Sequence, residues 1–190
     1  MRAFAAIILL CIVGSVAYGV IHDQFTARIC IEYFTVTHPP LVNSTSPTVV
    51  ALAWGVVATW WMGLILGFFV ALCARLGRSL PKLTWKSFVV PLIVVLVIMG
   101  VGAALWGPAF RDLHVPTSVL RENPELYDWP VGISLDKRDA WLTCLGAHQA
   151  SYTLGTVGGF ALCIYAIAVR VLRARRAKRH PNPPPPGSHP

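Results

Sequence analysis

Apolar residues run almost unbroken through four stretches of the chain, about 4–20, 49–74, 88–106 and 152–171, and polar residues gather between them. Each stretch approaches the roughly 20 helical residues that cross a hydrocarbon core about 30 Å thick. Unpaired backbone groups are too costly in lipid for anything but helices or closed barrels, and these runs lack the strand-like alternation of a barrel. The pattern predicts an all-α fold, an integral membrane four-helix bundle. Its helical extensions and loops at about 21–47 and 107–150 are expected to form a small extracytoplasmic cap.

Signals at the element ends agree with this division. Ser46-Pro47 is an N-cap and first-turn pair for the second helix, and Gly77 lies just past its end. Pro91 is expected to bend the third helix in its inner half. Beyond the first span, VIHDQFTARICIEYFTVTHPP reads as a helix continuing past the lipid, with Arg28 and Glu32 spaced to pair and Pro39-Pro40 as its stop. Asp136 and Asp139 precede Trp141, so the fourth helix is expected to begin near Lys137 and to stand partly clear of the bilayer. The final PNPPPPGSHP favours an extended, polyproline-like conformation. Residues 1–172 are therefore assigned to the transmembrane domain and 173–190 to a basic, proline-rich disordered tail.

Small residues mark how the helices would pack. Ala51, Gly55, Thr59, Gly63, Gly67 and Ala71 recur every fourth position in the second helix, and Ala147, Ser151, Gly155, Gly159 and Cys163 do so in the fourth. Close backbone approach along such stripes is a main source of helix association in lipid. Cys11, Ser15 and Gly19 give the first helix a similar face, so helices one, two and four are expected to meet, within one chain or across a homo-oligomer.

Charge adds orientation. Arg2, the link with Arg75, Arg78, Lys82 and Lys86, and the tail with Arg170, Arg173, Arg175, Arg176, Lys178 and Arg179 hold eleven basic residues and no acidic one. All eight Asp and Glu lie in the other two loops beside five basic residues, so the formal +8 splits into +11 and −3. Retention of Lys and Arg on the cytoplasmic side predicts both termini inside. The basic excess is thus a topology signal, with membrane lipids as partner and no nucleic acid. The 55% hydrophobic and 13% charged composition also lies outside the range of soluble domains. An alternative for residues 1–17 is a cleaved signal peptide ending at Ser15-Val16-Ala17, which leaves the rest of the topology unchanged.

Candidate chemistry collects at the acidic end. His22, Asp23, Glu32 and His148 are ligand types for zinc or copper, and if helices one and four are neighbours the two histidines come to one depth. No His-Glu-x-x-His or Cys-x-x-Cys spacing supports this, and interfacial histidines are commonly hydrogen-bonded caps. No haem ligand pair, nucleophile elbow or phosphate loop is present. Cys30 and Cys144 fall in the outer loops and form a candidate disulfide, with two buried free thiols as the alternative.

The strings IHDQFTARICIEYFTVTHPP, SPTVVALAWGVVATWWMGLILG, PKLTWKSFVVPL and DKRDAWLTCLGAHQASYTLGTVGG resemble a group of uncharacterised bacterial multi-pass membrane proteins of about four helices. The resemblance covers most of the chain apart from the proline tail and the 110–133 loop. It implies a bacterial inner-membrane setting and no activity, cofactor or catalytic residue. The expected function is a binding or assembly role through the cap, with a membrane or periplasmic protein partner. The competing expectation is a metal-dependent or redox membrane enzyme using His22, Asp23, Glu32 and His148.

Overall fold

A computed structural model describes residues 1–126 and 132–179. Its helices are α1 (Arg2–Ile29), α2 (Glu32–Thr35), α3 (Pro47–Val57), α4 (Trp60–Arg75), α5 (Val89–Asp112), α6 (Thr117–Glu122) and α7 (Arg138–Arg179), with short 3₁₀ turns between them. No strand occurs among the described residues. Four helical segments, Arg2–Ile29, Pro47–Arg75, Val89–Glu122 and Leu135–Arg179, are long and apolar enough to cross a membrane. Large apolar side chains such as Val97, Ile98, Val101, Phe160 and Ile164 point outward. Water would solvate so continuous an apolar surface poorly.

The second span is broken. Ala58 and Thr59 separate α3 from α4, and the Thr59 hydroxyl donates to the Gly55 carbonyl at 2.5 Å. A threonine bonding back to the preceding turn bends a helix. Pro91, by contrast, lies in the first turn of α5, where its missing donor costs nothing, and the helix runs on through it. Pro91 therefore gives the third helix no reason to bend in its inner half, its interior proline is Pro108, and the break lies in the second.

Two close helix pairs build the molecule. Helix α1 packs on α3 and α4 through glycines, where a Cβ on Gly55 would lie 2.5 Å from Val20 Cα, and one on Gly63 2.7 Å from Ile12 Cα. A Cβ on Gly67 would meet that of Cys11 at 2.8 Å. Helices α5 and α7 make the second pair, with Gly107 against the Thr143 carbonyl and Gly146 against Phe110. Gly155 faces Met99 of α5, whereas Gly159 faces Leu66 of α4. The fourth-helix stripe thus meets the third helix as well as the second.

Buried apolar residues form two separate cores. One, at the acidic end, gathers Ala27, Cys30, Tyr33, Phe34, Val50, Ala51, Trp141, Leu142 and Cys144. The other, at the basic end, gathers Ile7, Val70, Ala71, Ala74, Leu83, Phe88, Leu92, Leu162 and Ala166. The basic end is also locked by Arg170, whose guanidinium donates to the carbonyls of Cys73, Leu76, Leu80 and Pro81 at 2.5–3.4 Å. These include the unsatisfied last carbonyls of α4. Gly77, at φ +83°, makes the left-handed turn that follows.

The ends of the long helices differ from expectation in ways that shape the site. Helix α1 stops at Ile29, where Cys30 turns extended (φ −152°, ψ 100°), and α2 folds back over the bundle. Arg28 donates to Gln24 and to the Thr48 hydroxyl, and Glu32 pairs with Lys137 at 3.4 Å, so these two take other partners. Helix α7 continues to Arg179, which makes 173–179 helical, and the expected disordered segment beyond falls outside the described residues.

A candidate metal centre over an interior cavity

The helical period brings Cys11, Ser15, Tyr18, Gly19, His22 and Asp23 to one face of α1. On α7 the same spacing aligns His148, Ser151, Tyr152, Gly155, Gly159 and Leu162. These faces look at each other across a cavity of about 160 Å³ that lies between the two cores. His22, Asp23 and His148 cluster at its acidic end, and one ligand atom from each lies within 4.8 Å of the others.

The proton arrangement follows from the partners. His148 Nδ1 lies 2.8 Å from the Cys144 carbonyl, which can only accept, so Nδ1 carries the proton. In the neutral ring Nε2 is then a lone pair, and it faces Asp23 Oδ1 at 3.3 Å. Two acceptors in contact need a cation between them, either a proton or a metal ion. The Asp23 and His148 side chains are only 6% and 11% exposed, so water does little to relieve the pair. His22 stands edge-on to His148 with ring centres 4.7 Å apart, and its Nε2 is buried without a hydrogen-bond partner among the described residues.

Aromatic rings enclose the cluster. Tyr33 stacks on His148 at 4.6 Å, and Phe34 meets the same ring edge-on at 5.6 Å. His38 holds α2 in place, its Nδ1–H donating to the Tyr33 carbonyl at 2.7 Å, and rests on Trp54 of α3. On the cavity wall Tyr18 stacks on His22 and its hydroxyl shares a 2.7 Å hydrogen bond with Ser151. The turn at Cys30 is what allows this lid, because it returns the chain over α7. Burial raises the ionisation of the Tyr33 phenol well above its usual range, so Tyr33 serves as a neutral wall.

Of the residues singled out in the sequence, His22, Asp23 and His148 converge. Glu32 does not join them, since its carboxylate accepts from the Cys30 thiol at 3.4 Å and meets Lys137. Cys30 and Cys144 share the acidic-end core, both buried and both free thiols. His114 lies apart, bonded to the Phe110 carbonyl. Sequence reasoning missed Tyr33, Phe34 and Trp54 as the lid and Tyr18 with Ser151 as the wall. The usable signal is the three- and four-residue spacing that puts Tyr18 and His22 on the same face as the packing residues Cys11, Ser15 and Gly19.

Two imidazoles and one carboxylate with a restricted outer face suit a first-row divalent ion. A tetrahedral zinc with ligands at about 2.0–2.2 Å separates them by about 3.4 Å, so modest side-chain rotation would close this cluster onto an ion. The His148 Nδ1–H to carbonyl bond is the kind of support that orients metal-binding imidazoles. Comparison with protein families, curated proteins and solved structures gave no match.

Proposed function

We propose that this is a multi-pass membrane protein that binds a divalent transition-metal ion of the zinc class through His22, Asp23 and His148. The observation that carries the reading is the 3.3 Å approach of His148 Nε2 to Asp23 Oδ1 beside the buried Nε2 of His22, which has no hydrogen-bond partner among the described residues. Ionisable groups inside an apolar bundle are costly, and function is the usual reason to keep them. The charge partition along the sequence supports an orientation with both termini cytoplasmic and the metal site near the outer face. The resemblance to bacterial multi-pass proteins supports an inner-membrane location, with the site facing the periplasm.

A second reading is favoured by the same 3.3 Å contact. A proton shared by Asp23 and His148 would make the cluster a structural tie between α1 and α7. Metal content separates the two. Protein reconstituted in lipid nanodiscs, equilibrated with zinc and washed with a weak chelator should retain one zinc per chain. His22→Ala and His148→Ala should retain almost none, and Glu32→Gln should match the wild type. Failure of the wild type to retain stoichiometric zinc would leave only the structural tie.

A further inference from the structure

The basic end of the bundle employs its cations unevenly. Arg170 is committed to four backbone carbonyls, and Arg75 donates to the Leu83 carbonyl at 2.8 Å. Arg2 and Lys86 have no such partner, and neither forms a hydrogen bond or an ion pair among the described residues. Both line one open groove, where the start of α1 packs on the 3₁₀ turn Trp85–Ser87, together with Ala3, Ala6, Thr84 and Trp85.

Two like charges facing one groove repel each other, and the eleven basic residues of this end have no carboxylate among them. The counter-charge has to come from outside the chain, and the surroundings of the groove define its kind. Trp85 is 41% exposed, with Lys86 Nζ 6.0 Å from its ring centre. Such an aromatic belongs at headgroup depth in a bilayer. The helical period places Leu9 and Val13 on the same face of α1 as Arg2 and Ala6, and both are more than half exposed. The cations thus open onto an apolar track that descends along α1. A soluble anion would leave that track uncovered, whereas a lipid covers the charges and the track together.

We infer that this groove binds an anionic phospholipid, a reading that rests on the membrane half of the proposed function and needs no metal at the acidic end. The phosphate lies between Arg2 and Lys86 with the Thr84 hydroxyl as a further donor, and an acyl chain follows Ala6, Leu9 and Val13. Basic pockets of this kind at a membrane surface suit phosphate heads. A phosphatidylcholine with the same chains is disfavoured, because its own ammonium meets the two cations. A phosphatidylglycerol head adds only hydroxyls.

The test reconstitutes zinc-free protein in bilayers of equal dioleoyl phosphatidylglycerol and dioleoyl phosphatidylcholine, releases it in mild detergent and counts retained lipid by native mass spectrometry. Phosphatidylglycerol should be retained over phosphatidylcholine by about tenfold. Arg2→Gln and Lys86→Gln should each lower that preference about fivefold. Arg78→Gln and Lys82→Gln, at the same end but outside the groove, should keep it. Glycerophosphate, the head without its chains, should not displace the lipid. Equal losses in all four variants would show a diffuse field without a site, displacement by glycerophosphate would show a soluble phosphate ligand, and a wild type without preference would show neither. Each of these results would overturn the inference and leave the membrane and metal readings standing. Protein recovered from cells without detergent would overturn the membrane reading and this inference together.

Discussion

His148 of α7 turns its Nε2 toward Asp23 Oδ1 of α1, 3.3 Å away, while its Nδ1 lies 2.8 Å from the Cys144 carbonyl. The two residues come from helices whose main packing partners lie elsewhere, α1 on α3 and α4, and α7 on α5. Their contact therefore joins the two halves of the molecule at the acidic end, as the guanidinium of Arg170 does at the basic end. The cavity lies between these two ties.

Removing one partner of a buried charged pair leaves the other uncompensated. His148→Ala should destabilise the protein by about 3 kcal/mol or more. Asp23→Asn with His148→Gln should cost less than the two single changes summed, since neither group is left as a lone charge. Denaturant melts of the four proteins in one detergent close the cycle, and strict additivity would refute the coupling.

The glycines differ in what they face. A Cβ at Gly55 would meet Val20 backbone at 2.5 Å, whereas one at Gly155 meets the terminal methyl of Met99 at 3.0 Å. Backbone cannot step aside and a methionine end can. Gly55→Ala should therefore lower the melting temperature sharply and Gly155→Ala only slightly. Equal effects would contradict the α1–α3 contact described here.

Arg170 is buried and its planar fork meets carbonyls from the end of α4 and the loop after it. Lysine carries the charge without the fork. Arg170→Lys should lose about 1–3 kcal/mol of stability, the cost of buried acceptors left unmet. A wild-type melt for Arg170→Lys would mean that charge alone suffices there.

Glu32 gives a small acid dependence. Burial alone would raise its carboxyl, but its backbone N–H, the Cys30 thiol and Lys137 outweigh burial and hold it below the usual 4.5. A depressed folded value stabilises above pH 4.5 and loses that contribution as the pH falls through it. The Lys137 partner is half exposed, so the contribution should stay under about 1 kcal/mol. Melts from pH 6 to 3 should show a slightly steeper loss for wild type than for Glu32→Gln. A steeper loss in the variant would reverse the sign argued here.

The four spans were legible because a run of about 20 apolar residues has few other uses. His22, Asp23 and His148 were legible as ligand types at one depth, though their meeting depended on which helices are neighbours, which a linear pattern leaves open. The break at Ala58–Thr59 was not legible, since threonine is common within apolar helices and only its bond to Gly55 bends this one. Pro91 misled because its effect depends on a helix start that shifts by a few residues. The lid escaped notice because Tyr33 and Phe34 were assigned to a straight extension of α1, whereas the chain turns at Cys30.

X-ray absorption at the zinc edge of metal-loaded protein tests the central claim most directly. For the wild-type protein the account expects two imidazole nitrogens at about 2.0–2.1 Å with oxygen in the remaining positions. A shell of sulfur ligands, a shell of water oxygens without imidazole, or no retained zinc would contradict it.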